Sequence, residues 1–138
     1  MKPTADDLRQ LLDIPAQLEA LDRTHNGLKS DKARKTRELD GMKARHRIRI
    51  SKEGGYTNAE DRAAALVIAC EDDAKYAATV ERLEAIDGMI RANRAQYDHL
   101  RRTREGLRVQ GGLHIVARLE DLIKDKDLAA AIGSGLLA

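Results

Sequence analysis

Apolar side chains recur every three or four residues along most of the chain, which is the spacing of one face of an α-helix. The pattern occupies two long stretches, one on each side of Gly54-Gly55. In the first stretch the steps alternate between four and three, as in the seam of a coiled coil. Its seam positions are Ile14, Leu18, Leu21, His25, Leu28, Lys32, Lys35, Leu39, Met42, His46 and Arg49. This pattern predicts a long helix over residues 15–52.

The second stretch has the same spacing but changes register near Leu83. Its earlier seam positions are Leu66, Cys70, Asp73, Ala77 and Val80. Its later positions are Leu83, Ile86, Ile90, Asn93, Tyr97, Leu100, Arg104 and Leu107. We predict a second long helix over residues 58–109.

Two adjacent glycines predict a bend between these helices over residues 53–57, because glycine reaches backbone angles that end a helix. Thr57 and Glu60 have the spacing of a capping box at the start of the second helix. The predicted fold is therefore all-α, a long antiparallel helical hairpin resembling a coiled coil. Since the glycines are residues 54 and 55, residue i is expected near residue 109 − i. The basic stretch 32–37 then lies opposite the acidic stretch 71–81, which favours this arrangement.

Shorter helices are predicted at both ends. Thr4 is a suitable cap for a first helix over residues 5–12. Pro15 is expected to begin the long helix, since proline suits the first helical position. Gly111-Gly112 predict the end of the second long helix and a C-terminal helix over residues 113–132. All of these elements are assigned to a single domain of residues 1–138.

Two features leave alternatives open. Lys32 and Lys35 interrupt the apolar seam. They either set the register or oligomeric state, or lay their stems along the seam with the ammonium groups in water. Residues 47–51 alternate polar and β-branched side chains, so a short strand at the tip is the alternative to helix there.

The composition indicates little large apolar surface. The chain has no Phe or Trp, and 35% of its residues are charged, so one hairpin cannot build a thick core. We therefore predict a homo-oligomer whose interface residues are Leu18, Leu21, Leu28, Leu83, Ile86 and Ile90. A single cysteine, Cys70, and the lack of a signal sequence or a long apolar run predict a cytoplasmic protein without membrane contact.

Charge is concentrated near the bend, although the net charge is only +2. Five basic side chains there outnumber Glu60 and Asp61, namely Lys43, Arg45, Arg47, Arg49 and Lys52. A compact basic cluster binds phosphates without sequence specificity, so these residues are predicted to contact DNA or a nucleoprotein partner. The alternative is that the arginines are solvated or paired with the two carboxylates.

The residue types that carry catalysis do not occur in useful combinations. Cys70 is followed by three carboxylates, which disfavour a thiolate nucleophile. The four histidines are isolated in sequence, and no glycine-rich phosphate loop is present. We predict that the protein is not an enzyme and has no cofactor, metal ion or small-molecule substrate.

Residues 55–108 resemble a group of small helical-hairpin proteins encoded by phages and prophages. The resemblance rests on the helix start at residues 57–65, Thr-Asn-Ala-Glu-Asp-Arg-Ala-Ala-Ala, then on Tyr97 and on Leu100-Arg101-Arg102. Such proteins have mostly no assigned activity and are often encoded near replication and recombination genes. The resemblance implies a phage accessory factor in DNA metabolism, here a self-associating binding protein. A structural adaptor that binds no nucleic acid, or an inhibitor of a nucleic-acid enzyme, are the alternatives.

Overall fold

The computed structural model describes residues 3–137, with side chains from residue 3 to residue 126. Three helices occupy nearly all of this range: α1, Ala5–Glu53; α2, Ala59–Asp72; and α3, Ala74–Leu137. No strand occurs in the described part of the chain, so the prediction of an all-α fold is confirmed. Residues 47–51, where a strand was the alternative, lie inside α1.

The contacts divide the chain into two units. One comprises Met1–Ala20 and Tyr97–Ala138, and the other comprises Leu21–Gln96. The first unit contains the start of α1 and the later part of α3. The second contains the rest of α1, the bend, α2 and the start of α3, so it includes most residues that sequence analysis singled out.

The start of α1 is capped as predicted, but the helix does not stop near residue 12. The amide of Asp7 donates to Thr4 Oγ1 at 3.1 Å, and the amide of Thr4 donates to the Asp7 carboxylate at 2.9 Å. The predicted break before Pro15 is wrong, because α1 runs through it. A proline inside a helix removes one backbone hydrogen bond, but the neighbouring Ile14 and Leu18 are 0% and 6% exposed. Their burial favours keeping both sides in one helix.

The bend forms where the two glycines predict it. Gly54 and Gly55 have φ angles of 68° and 86°, in the left-handed region that costs glycine least. The predicted capping box is displaced by one residue: Asn58, not Thr57, caps α2 and accepts the amide of Asp61 at 2.8 Å. Thr57 instead donates its hydroxyl to the Asp61 carboxylate at 2.8 Å. Asparagine is preferred over threonine as an N-cap, where its side-chain oxygen accepts an amide of the first helical turn.

Gly111 and Gly112 do not end a helix, which corrects the predicted boundaries at 109 and 113. Both lie within α3, and among the described residues only Gly54 and Gly55 have positive φ. Glycine permits a helix end but does not impose one, and here no proline or cap follows it. The predicted C-terminal helix is therefore a continuation of α3, and its last residues, 127–132, lie beyond the described side chains.

The structure shields most of the predicted seam positions from solvent, both in α1 and in the later part of the second stretch. In α1 the main exception is at the bend, where Ile50 is 4% exposed and Arg49 is exposed. In α3, Ile86 is 1% exposed, and the other predicted positions from Leu83 to Leu107 are half-buried. The two lysines that interrupt the seam find carboxylates: Lys32 Nζ lies 2.7 Å from Asp87 Oδ1, and Lys35 Nζ lies 3.1 Å from Glu38 Oε2.

Within the unit Leu21–Gln96, the pairs between α1 and the later residues have a different register from the predicted one. Lys32 pairs with Asp87 and His46 pairs with Asp73, so the two residue numbers add to 119 in each pair rather than 109. One cause is that five residues, 54–58, lie between α1 and α2. A second is that side chains lean toward the N-terminus of their own helix, so the two residues of each pair both lie C-terminal to the level of their contact.

Candidate binding site

Asp73 separates α2 from α3 and acts on both helices. Its backbone is extended, with φ −84° and ψ 107°, and its amide donates to the carbonyl of Cys70 at 3.2 Å. Its carboxylate oxygen Oδ1 accepts the amides of Lys75 at 3.0 Å and Tyr76 at 3.3 Å. An aspartate in this position satisfies amides that the first turn of a helix leaves unpaired. Asp73 therefore begins α3 where the sequence pattern predicted an uninterrupted helix.

His46 of α1 holds the other oxygen of the same carboxylate. Its Nε2–H donates to Asp73 Oδ2 at 2.7 Å, and the two side chains are only 16% and 22% exposed. This hydrogen bond lowers the pKa of the Asp73 carboxyl below its ordinary value. Partial burial opposes the shift, and the amides of Tyr76 and Lys75 reinforce it. The hydrogen bond between His46 and Asp73 thus connects the junction of α2 and α3 to α1 through a charged group that is partly shielded from solvent.

A groove of about 770 Å³ runs along both sides of this break. Its apolar lining comes from α2 and α3, namely Ala63, Leu66, Val67, Cys70, Tyr76, Ala77 and Val80. The α2 members are spaced by three, one and three residues, so they share one helix face. Because Cys70 precedes Asp73 and Tyr76 follows it, the break lies beside the middle of the groove.

The basic and the acidic side chains of the groove come from different helices. The bases Lys43 and Arg47 come from α1, and the acids Glu71, Glu81 and Glu84 come from α2 and α3. Tyr76 adds a polar group: burial raises the pKa of its hydroxyl, and Cys70 and Asp40 add to the shift. The phenol therefore stays neutral at pH 7 and can donate a hydrogen bond. The groove therefore combines an apolar lining with charges of both signs and one hydrogen-bond donor.

The predicted basic cluster does not form a single patch. All five side chains are exposed, but Lys43 and Arg47 line the groove. The other three, Arg45, Arg49 and Lys52, are spaced by four and three residues and share a different face of α1. Arg49 Nε lies 3.7 Å from Glu53 Oε1, whereas the alternative predicted pairing with Glu60 or Asp61. Since the helix separates the cluster into two faces, only three of its members can act together outside the groove.

The residues predicted to join chains are covered to different extents within one chain. Leu18 and Ile86 are 6% and 1% exposed, so these two need no second copy to leave water. The remaining four, Leu21, Leu28, Leu83 and Ile90, are half-buried. Their role in an interface between chains stays a prediction.

The His46–Asp73 pair was not predicted from the sequence, although the sequence contains one signal for it. Both residues occupy seam positions of their own heptad patterns, where a histidine and a carboxylate are out of place unless they meet. The predicted register placed residue 63 opposite His46, ten positions from Asp73, so the pairing was not apparent. Aspartate is also a residue type that caps helices. The helical periodicity continues on both sides of Asp73, however, so the sequence did not indicate a break there.

None of the helices is long and apolar enough to span a membrane over the described residues. Comparison with protein-family models, with curated proteins and with solved structures finds no match to this chain.

Proposed function

We propose that the protein is a non-enzymatic adaptor whose residues 21–96 form an antiparallel helical hairpin, and that the groove beside Asp73 binds an amphipathic helix of a partner protein. The observation that carries the proposal is the apolar groove itself, bordered by charges of both signs. The break at Asp73 supports it, because the capped junction gives the groove a defined shape before any partner arrives. Preformed surfaces lose less conformational entropy on binding.

The shape of the apolar lining favours a helix as the ligand. Leu66, Val67 and Cys70 on α2 continue into Tyr76 and Val80 on α3, forming an elongated strip. An amphipathic helix lays side chains at positions i, i+3 or i+4, and i+7 along such a strip. A partner of this kind contributes a row of leucine-sized anchors.

The charges define the flanks of that helix. Lys43 and Arg47 attract carboxylates, whereas Glu71, Glu81 and Glu84 attract basic side chains. A partner with acids along one flank and bases along the other therefore binds in one orientation. Electrostatic complementarity of this type contributes mainly to specificity and to the association rate.

A designed peptide tests the groove. We expect a fluorescein-labelled helical peptide, with leucines at i, i+3 and i+7, acids on one flank and bases on the other, to bind with micromolar affinity in an anisotropy titration. Val67→Arg places a charge on the apolar strip and is expected to weaken binding at least ~10-fold, since an unpaired charge is costly on an apolar surface. A peptide of the same composition in scrambled order serves as the first control.

Ile68→Arg is the matched control variant. Ile68 follows Val67 on α2 and is equally exposed, 58% against 56%, but it lines a separate depression with Arg49 and Tyr56. We expect this variant to bind the peptide like the parent. Equal weakening by both substitutions, or equal binding of the scrambled peptide, would exclude the groove as the site.

DNA binding is a second candidate function, favoured by the exposure of Arg45, Arg49 and Lys52 outside the groove. It agrees with the resemblance to phage accessory proteins. Arg45→Ala with Arg49→Ala is expected to weaken binding of a labelled 20-nucleotide duplex at least ~10-fold at low salt, while binding of the peptide stays unchanged. The parent's affinity should also fall steeply between about 50 and 200 mM salt, as counterion release requires. A parent protein that binds no duplex at low salt would remove this candidate.

A further inference from the structure

An apolar face on the later part of α3 lies open to solvent. Seven aliphatic side chains between residues 109 and 123 are each 51–66% exposed. They are Val109, Leu113, Ile115, Val116, Leu119, Leu122 and Ile123. From Ile115 to Lys126, every described side chain is exposed. The same unit buries Ile14 and Leu18 almost completely, whereas Leu8 and Leu12 at the start of α1 are exposed like the residues of this face. We name the seven residues the α3 face.

We propose that the α3 face is a homodimer interface, which pairs with the same face of a second copy of this chain. The inference does not depend on the groove or on its ligand. Val109, Leu113, Val116 and Ile123 fall on one heptad seam, with Glu120 at the position between the last two. Ile115, Leu119 and Leu122 form a second row beside that seam. Heptad spacing is the pattern that one helix presents to another.

The charges of this segment favour a copy of itself over other occupants. Residues 109–126 carry three bases, Arg118, Lys124 and Lys126, and three acids, Glu120, Asp121 and Asp125, so their net charge is zero. An anionic membrane surface or a nucleic acid attracts a segment with a basic excess. A segment with both signs can instead place opposite charges beside each other across a twofold axis.

The available area agrees with a weak, reversible dimer. An aliphatic side chain that is half exposed still presents about 70 Å² of apolar surface, so fourteen of them from two copies supply on the order of 1,000 Å². This is near the lower limit of about 1,000 Å² for a specific interface. We therefore expect dimerisation at micromolar concentration rather than an obligate dimer.

Sedimentation equilibrium of the full chain between about 1 and 200 μM tests the proposal. The parent is expected to shift from monomer to dimer within this range. Val116→Asp with Ile123→Asp should weaken association at least ~10-fold, because it places two carboxylates on the face. Arg62→Asp changes the net charge by the same amount at an exposed position of α2, outside the unit that carries the α3 face, and should leave association unchanged. Far-UV circular dichroism and urea unfolding of each variant establish that the remaining structure is intact.

A parent that stays monomeric at 200 μM would overturn the proposal. Dimerisation that survives Val116→Asp with Ile123→Asp would also overturn it, since the interface would then lie elsewhere. Flotation with phosphatidylserine vesicles examines the rival occupant. Parent protein that floats with the vesicles, and a double variant that does not, would assign the α3 face to a lipid surface instead.

Discussion

Replacing Ile86 by alanine is expected to lower the free energy of unfolding by about 2–5 kcal/mol, the range for removing most of a buried isoleucine. Ile86 is 1% exposed, and among the described residues only it and Ile14 are large side chains that are covered so fully. The higher helix propensity of alanine offsets only about 0.5 kcal/mol. Urea unfolding followed by circular dichroism measures the loss.

Met89→Ala provides the matched control for this substitution. Met89 lies three residues further along α3 and is 45% exposed. Since exposed positions away from special features change stability little, we expect a loss of about 0.5 kcal/mol or less. Similar losses at both positions would mean that burial at Ile86 contributes little to the stability of the unit Leu21–Gln96.

The Asp73 carboxylate is expected to make the stability of the fold depend on acid pH. Its hydrogen bond from His46 lowers its pKa in the folded state. A lowered carboxyl pKa means that the folded state favours the ionised form, so the stabilisation is fully present above the unfolded-state pKa of about 3.9. It is lost as the pH falls through the lower folded-state pKa. The parent should therefore unfold at higher urea concentration than Asp73→Asn at pH 5–7, and the difference should shrink below about pH 4.

Asp72→Asn separates this effect from the titration of other carboxylates. Asp72 is the exposed neighbour at the end of α2, and the substitution removes the same charge. We expect the difference between this variant and the parent to stay small at every pH. A double-mutant cycle with His46→Ala gives the coupling directly: Asp73→Asn should have a smaller effect once His46 is absent. A difference between parent and Asp73→Asn that is constant down to pH 2.5 would contradict the assignment.

The sequence by itself determined the elements that depend on neighbouring residues. Helical periodicity identified both long helical stretches, and most of their shielded positions from Ile14 to His46 and from Leu83 to Leu107. Gly54 and Gly55 marked the bend, because their positive φ angles are a property of glycine itself. Thr4 marked the start of α1 for the same kind of reason, since its cap closes within three residues.

Local signals were wrong where two of them competed. Thr57 and Asn58 are both suitable caps, but Asn58 accepts the amide of Asp61, whereas Thr57 donates to the Asp61 carboxylate. Pro15 and Gly111-Gly112 suggested helix boundaries, but such residues lower helix stability without forbidding the helix. The energy of burying Ile14 and Leu18 beside the proline is not visible in the local sequence.

Only the tertiary structure decided the register, the break at Asp73 and the groove. The register is seen only in the pairs that α1 makes with later residues, Lys32 with Asp87 and His46 with Asp73. Asp73 leaves the helix because His46, 27 residues earlier, and the amides of Lys75 and Tyr76 together hold its carboxylate. The groove follows from that break, since its lining residues come from three helices and from both sides of Asp73. Helix formation is governed by near neighbours, whereas a binding surface is governed by contacts between residues that are distant in the chain.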